Sequence, residues 1–248
     1  MPLDRTTGKH REGHHLFFAP DLAGTAVDLD ETETVHAVSV LRLKPGDALR
    51  LTDGNGVRAA GIYESAQRHS LRVRITERTA VERQVPHLRL YVGLPDRDAF
   101  EALLPDATAL GAERIVPVIA EHCRKPWWDG GWEKHLHRFR QKMIVALKQS
   151  DADFLPILEP PCTLVTALHQ ASGTLLVADQ NGVPLNRLPQ FERGSTLCCF
   201  IGPPGGFSDE ELRSFDARPC SRIRIAMARL RTELATTVLC ALVAGQLL

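Results

Sequence analysis

Two rhythms of hydrophobic and polar positions divide the chain near residue 82. Before it, short apolar runs alternate with polar residues at a period of two. Leu16-Phe17-Phe18, Ala48 to Thr52, Val57 to Tyr63 and Leu71 to Thr76 are strand candidates. In the last, Leu71, Val73 and Ile75 alternate with Arg72, Arg74 and Thr76, as in a strand with one buried face. Lys44-Pro45-Gly46-Asp47 is a turn. Asp53-Gly54-Asn55-Gly56 is a strong hairpin turn, because both dipeptides accept φ > 0. Asp30 to Leu43 has helical spacing, with Val35, Val38 and Leu41 on one face. These elements predict a small closed β-domain over residues 14–82, behind a polar lead-in at 1–13.

Val81 to Pro86 interrupts the alternation and reads as a linker. Beyond it, strands alternate with helices. Leu88 to Val92, Ile115 to Ile119, Thr174 to Ala178, Leu197 to Ile201 and Arg222 to Ala226 are mostly near-continuous apolar runs. That suits a parallel sheet covered on both faces. Helical patterns run from Asp98 to Leu110, ended by Gly111, and from Trp132 to Gln149, with Leu136, Phe139, Met143 and Leu147 as its stripe. Pro105 is expected to kink or divide the first. Glu233 to Leu248 is apolar nearly all round, so it should be buried in the core or against a second subunit. Residues 83–248 therefore read as an α/β domain.

Composition removes several function classes. Hydrophobic content of 44% and charged content of 24% describe an ordinary globular protein, and the formal net charge is zero. Any nucleic-acid contact must come from local patches. Of the six cysteines, Cys198, Cys199 and Cys240 sit in apolar runs as core thiols, and none has ligand-like spacing. His10, His14 and His15 lack an accompanying Cys or carboxylate pattern, so no metal is expected. Met1 to Glu12 is too polar for a signal peptide, and Leu234 to Leu248 is shorter than the roughly 20 residues of a membrane span. The expectation is a cytoplasmic protein with no membrane partner. There is no Gly-rich dinucleotide fingerprint after a strand, no phosphate-binding Walker loop, no H-E-x-x-H and no G-x-S-x-G.

Three segments at strand ends remain as candidate chemistry: Ala178 to Gly182, Ile201 to Ser208, and Met227 to Glu233. The second has two prolines that fix φ and three glycines that permit close backbone approach. Ser208 followed by Glu211 is a capping box that starts a helix. Such edges of α/β sheets either are plain connections or build a pocket that reads a small polar ligand. A second candidate is the basic stretch from His122 to Lys148. It carries seven Lys or Arg against Asp129 and Glu133, with Trp127, Trp128 and Trp132 nearby. It reads either as a phosphate-and-base platform or as a solvated helix face with tryptophans folded into the core.

Ile201-Gly202-Pro203-x-Gly205-Gly206-Phe207-Ser208, followed by Leu230-Arg231-Thr232-Glu233-x-Ala235, resembles the RsmE branch of the SPOUT methyltransferases. Val40 to Asp47 and Asp53 to Gly56 are similar to that family's PUA-like domain, and Gln149-Ser150 before Leu155-Pro156 to its middle segment. The resemblance implies a SPOUT-type α/β domain with a parallel sheet and a trefoil knot over 83–248, preceded by a small PUA-like β-barrel over 14–82 that binds RNA. It further implies a homodimer that uses S-adenosylmethionine to methylate N3 of a uridine in 16S ribosomal RNA, acting on the RNA or the small ribosomal subunit. Carried onto this chain, cofactor contacts fall on Ala178, Asp179, Ile201, Gly202, Gly205, Gly206, Leu230, Arg231, Thr232 and Ala235.

Arg231 and Glu233 are the catalytic candidates: Arg231 stabilises a uridine anion or holds a phosphate, and Glu233 orients it. The same two residues also suit an ion pair at a helix start. RNA contacts are expected at Arg42, Arg124, Lys125, Arg138, Lys142 and Gln149. The chain departs from the family at polar positions. Pro204 replaces the usual Glu, and Ala226-Met227-Ala228 replaces a Gly-Pro-Arg run. Asp106 and Ala109 stand for a Lys and a Glu, and Asp151-Ala152 for Gly-Arg. An alternative reading is therefore an RNA-binding relative, non-catalytic or of altered specificity, with a degenerate cofactor pocket.

Overall fold

The computed structural model describes residues 15–83, 86–124, 126–188, 191 and 194–245. Two compact units divide the chain, Met1–Glu82 and Arg83–Leu248.

The first unit contains β1 (Leu16–Phe18), β2 (Ala26–Leu29), α1 (Glu31–Val35), β3 (Ala48–Thr52), β4 (Val57–Gln67) and β5 (Ser70–Ala80). Its sheet has the order β1-β3-β4-β5-β2, with β1 and β3 parallel and the other pairs antiparallel. Asp53 builds the β3–β4 turn, its Oδ1 accepting from the Asn55 and Val57 amides at 2.7 and 2.9 Å. Phe17, Leu29, Leu49, Leu51, Leu71 and Val73 form the core. The expected helical face is corrected. Asp30 caps α1 through the Glu33 amide, but the chain then enters a π-helical turn, His36–Val40. Wider turns defeat a 3.6-residue spacing. Glu33, Thr34 and Ala37 are buried instead, while Val35 and Val38 are exposed.

The second unit runs β6 (His87–Gly93), α2 (Arg97–Ala109), β7 (Arg114–Ile119), α3 (Trp132–Gln149), β8 (Ile157–Leu158), β9 (Cys162–Thr163), α4 (Leu164–Gln170), β10 (Thr174–Pro184), β11 (Thr196–Ile201), α5 (Asp209–Asp216), β12 (Cys220–Arg224) and α6 (Thr232–Gly245). All pairings are parallel, in the order β12-β10-β11-β6-β7-β8, with β9 also on β7. Alternation persists inside the continuous apolar runs. Leu197, Cys199 and Ile201 of β11 face a core shared with α2, α3 and α6. Cys198 and Phe200 face a second core with α4 and Phe215 of α5. A sheet covered on both faces is what those runs require. Cys198, Cys199 and Cys240 are buried core groups, and burial pushes the Cys240 thiol up to about 12.

Three expectations change here. Pro105 does not divide α2, which runs unbroken past it. Phe100, Leu103, Leu104 and Ala107 bury on one face, and that packing outweighs the missing backbone donor, which costs roughly 3 kcal/mol. β12 ends at Arg224 rather than continuing to Ala226. The Ala178–Gly182 stretch is a bulge inside β10 and not a loop after it, since Ala178 and Val183 both lie opposite Ile223. An Asx turn from the Asn181 amide to Asp179 Oδ1 (2.8 Å) makes the bulge. Gly182 completes it, because a Cβ there would fall 2.6 Å from the Arg222 backbone.

Candidate functional site

β11 delivers Ile201 to a rigid turn in which the Gly206 amide donates to the Pro203 carbonyl at 2.7 Å. Ser208 and Glu211 then close a reciprocal capping box at the start of α5. Two neighbouring segments meet this turn. One is the β10 bulge; the other is the crossing from Arg224 to Thr232. Together they enclose a cavity of about 250 Å³.

Eight of the ten expected cofactor residues line it. Ala178 and Asp179 come from the bulge, Ile201, Gly202 and Gly206 from the turn, and Leu230, Thr232 and Ala235 from the approach to α6 and its first turn. Gly205 and Arg231 do not. Gly205 turns away and packs on His122. The Arg231 side chain is 88% exposed and lies 3.6 Å from the Glu233 carboxylate, which is 22% exposed.

Three bonds hold the wall. The Thr232 hydroxyl donates to the Gly202 carbonyl at 2.9 Å, and the Arg229 guanidinium donates to the Pro204 carbonyl at 3.0 Å. Asp179 Oδ2 meets the Arg222 guanidinium at 3.3 Å, and Arg222 is itself paired with Asp216 at 2.6 Å. The Asp216 hydrogen bond above all raises the Arg222 pKa, so this cation is permanent and compensates the Asp179 carboxylate at the cavity wall.

Arg229, Gln180 and Asn181 also line the cavity; they lie in the segments marked from the sequence but not among its cofactor contacts, and Ile225 was placed in a strand. The signal for Ile225 and Arg229 was present: a turn whose ends bind a ligand brings its intervening residues to the same cavity. For Gln180 and Asn181 only the segment was marked, because a bulge within a strand has no period to betray it.

The basic stretch follows the second of its two readings, a helix face with tryptophans folded into the core. Trp132 is buried, and Trp127 packs among Phe100, Trp132 and Phe139 while its Nε1 donates to the Pro95 carbonyl at 2.9 Å. No aromatic platform of three tryptophans forms. Arg138 and Lys142 clamp the buried Glu101 carboxylate at 2.6 and 2.8 Å, so their charges are engaged within the fold. Arg124 and Gln149 are exposed, and Lys125 lies outside the described residues. Arg42 belongs to the first unit, exposed and with φ 56°. No group of three or more His, Cys, Asp or Glu is placed to hold a metal among the described residues. Nor is any described helix long and apolar enough to cross a membrane.

A family model described as RNA methyltransferase domain matches residues 82–244, and one described as RNA methyltransferase PUA domain matches residues 29–76. The chain is an RsmE-type member of the RNA methyltransferase domain family. It is similar to the ribosomal RNA small subunit methyltransferase E of Mycobacterium bovis, 28% identical over 88% of this chain and 86% of that one. With the Rickettsia conorii protein of the same name it shares 27% identity over 75% of each. A crystal structure of ribosomal RNA small subunit methyltransferase E from Neisseria gonorrhoeae, bound to S-adenosyl methionine, superposes with a TM-score of 0.83 at 23% identity. It covers 93% of this chain and 97% of that one. This RsmE-type chain therefore has the SPOUT fold expected from its motifs.

Proposed function

We propose that the protein uses S-adenosylmethionine to methylate N3 of a uridine in small-subunit ribosomal RNA. The observation that carries this reading is the convergence of three chain segments, holding the family's motif residues, on one cavity. Relatives of the same family are named ribosomal RNA small subunit methyltransferases, and the gonococcal one is bound to S-adenosyl methionine.

The residues present fit the group. Ile201, Ile225 and Leu230 offer apolar walls for an adenine ring. Gly206 has φ 79°, and a Cβ there would meet nothing within 4 Å, so this wall lets backbone groups approach a ligand. Asp179 accepts from Asn181 and Arg222 and keeps lone pairs for ribose hydroxyls. When bound, S-adenosylmethionine supplies an electrophilic sulfonium methyl.

The chain's own work is positioning and charge complementarity. Asp179, Gly202 and Leu230 would hold the cofactor, which would supply its methyl to a uridine N3 already deprotonated. Arg231, outside the cavity wall and exposed, meets the uridine anion or an adjacent phosphate, and Glu233 restrains its guanidinium. RNA docking falls to the 14–82 domain with Arg42, and to Arg124, Lys125 and Gln149. Arg138 and Lys142 contribute only the charge left over from Glu101.

A homodimer, a trefoil-knotted chain path and a cytoplasmic location belong to the same reading. The exposed Leu234 and Leu242 on α6 support a second copy there. The test is transfer of tritiated methyl from S-adenosylmethionine to small ribosomal subunits lacking the modification. Label on uridine N3 is expected, and label absent from that atom rejects the substrate.

A further inference from the structure

Gly202, Pro203, Pro204 and Gly206 line the cavity, whereas Gly205 faces the other way. A Cβ on Gly205 would fall 2.5 Å from His122 Cβ and 3.1 Å from His122 Cγ. His122 follows β7, and its Nδ1 lies 3.1 Å from the Gly206 carbonyl oxygen. A carbonyl only accepts, so this nitrogen carries the proton. One residue earlier, the Glu121 amide donates to Glu211 Oε1 at 2.8 Å, while Glu211 Oε2 accepts the Ser208 amide at 2.9 Å. The Glu121–His122 corner thus grips the cofactor turn from behind at two points, one on either side of Phe207. Neither His122 nor Glu211 lines the cavity.

The grip falls where the turn is loosest. Pro203 and Pro204 have fixed φ, but Gly205 and Gly206 carry the largest backbone freedom of any residue type. A binding wall that must be ordered by its ligand binds more weakly than one already in shape.

We propose that His122 is a positioning residue for the cofactor site: through the Gly206 carbonyl it holds the Pro203–Phe207 wall in its binding shape without touching the cofactor. The proposal rests on the reading of this cavity as an S-adenosylmethionine site, so its test has an arm that needs no cofactor.

The full chain is compared with His122→Ala, His122→Phe and His122→Asn; the last keeps an N–H donor close to the position of Nδ1. Calorimetry should show S-adenosylmethionine binding about three- to tenfold more weakly to the Ala and Phe variants, the scale of one hydrogen bond. The Asn variant should recover most of the loss, and kcat at saturating cofactor should be unchanged in all three. Amide hydrogen exchange without cofactor should speed up across residues 205–208 in the Ala and Phe variants and not in the Asn variant. Equal affinity in all four proteins overturns the proposal. If the parent chain itself binds no S-adenosylmethionine, the cofactor reading fails and the exchange data alone judge the grip: faster exchange upholds it, unchanged exchange overturns it.

Discussion

The Thr232 hydroxyl donates to the Gly202 carbonyl at 2.9 Å, joining the first residue of α6 to the first residue after β11. Thr232 is 3% exposed and Gly202 half-buried, so the bond is only partly open to water. Thr232→Val should cost about 1–2 kcal/mol by leaving that acceptor unpaired. Urea unfolding of this variant against Thr232→Ser, which keeps the donor, checks it.

Gly93 ends β6 directly behind the same wall. A Cβ there would fall 2.4 Å from the Pro203 nitrogen and 2.5 Å from Pro203 Cδ. Both are rigid ring atoms, so the wall must move. Gly93→Ala should destabilise the chain by about 1–3 kcal/mol and also weaken cofactor binding. Thermal unfolding and calorimetry on one preparation would show the two losses together.

Glu101 sets a pH dependence. Burial works to raise its pKa, but hydrogen bonds from Lys142 and Arg138, with their charges, outweigh that and leave it below the ordinary carboxylate value. A group depressed in the folded state stabilises fully above its unfolded value of about 4.3 and loses that contribution as pH falls through the folded value. Replacing both Arg138 and Lys142 by Ala strands a buried carboxylate, at a cost on the order of 3 kcal/mol at neutral pH. Thermal midpoints of the two proteins should differ most near pH 7 and converge as pH falls toward 4.

Arg231 makes the opposite prediction. Its side chain is 88% exposed, so Arg231→Ala should leave stability within about 0.5 kcal/mol of the parent. Methyl transfer should drop by about two to three orders of magnitude if the guanidinium meets developing charge. An urea curve and the tritium assay separate the effects, and full activity would remove Arg231 from the mechanism.

The parallel sheet was legible because Leu197 to Ile201 is apolar on both sides of the strand, which only a doubly covered sheet accommodates. The capping box at Ser208 was legible because its two residue types and their spacing are local. Where long-range partners decide, the sequence was silent. Nothing local says that Arg138 and Lys142 meet a carboxylate far back along the chain on α2, or that Trp127 aims its indole nitrogen at Pro95. The bulge at Asp179 and the π-helical turn at His36 escaped for a different reason. Both insert residues into a regular period, and a period is what pattern reading assumes.

The cavity between Asp179, Gly202 and Leu230 is the proposed S-adenosylmethionine site. Calorimetric titration of the cofactor into the full chain tests it most directly. A saturable heat with one site per chain is expected. No heat at millimolar cofactor would contradict it, and would leave an RNA-binding relative whose pocket has lost its ligand.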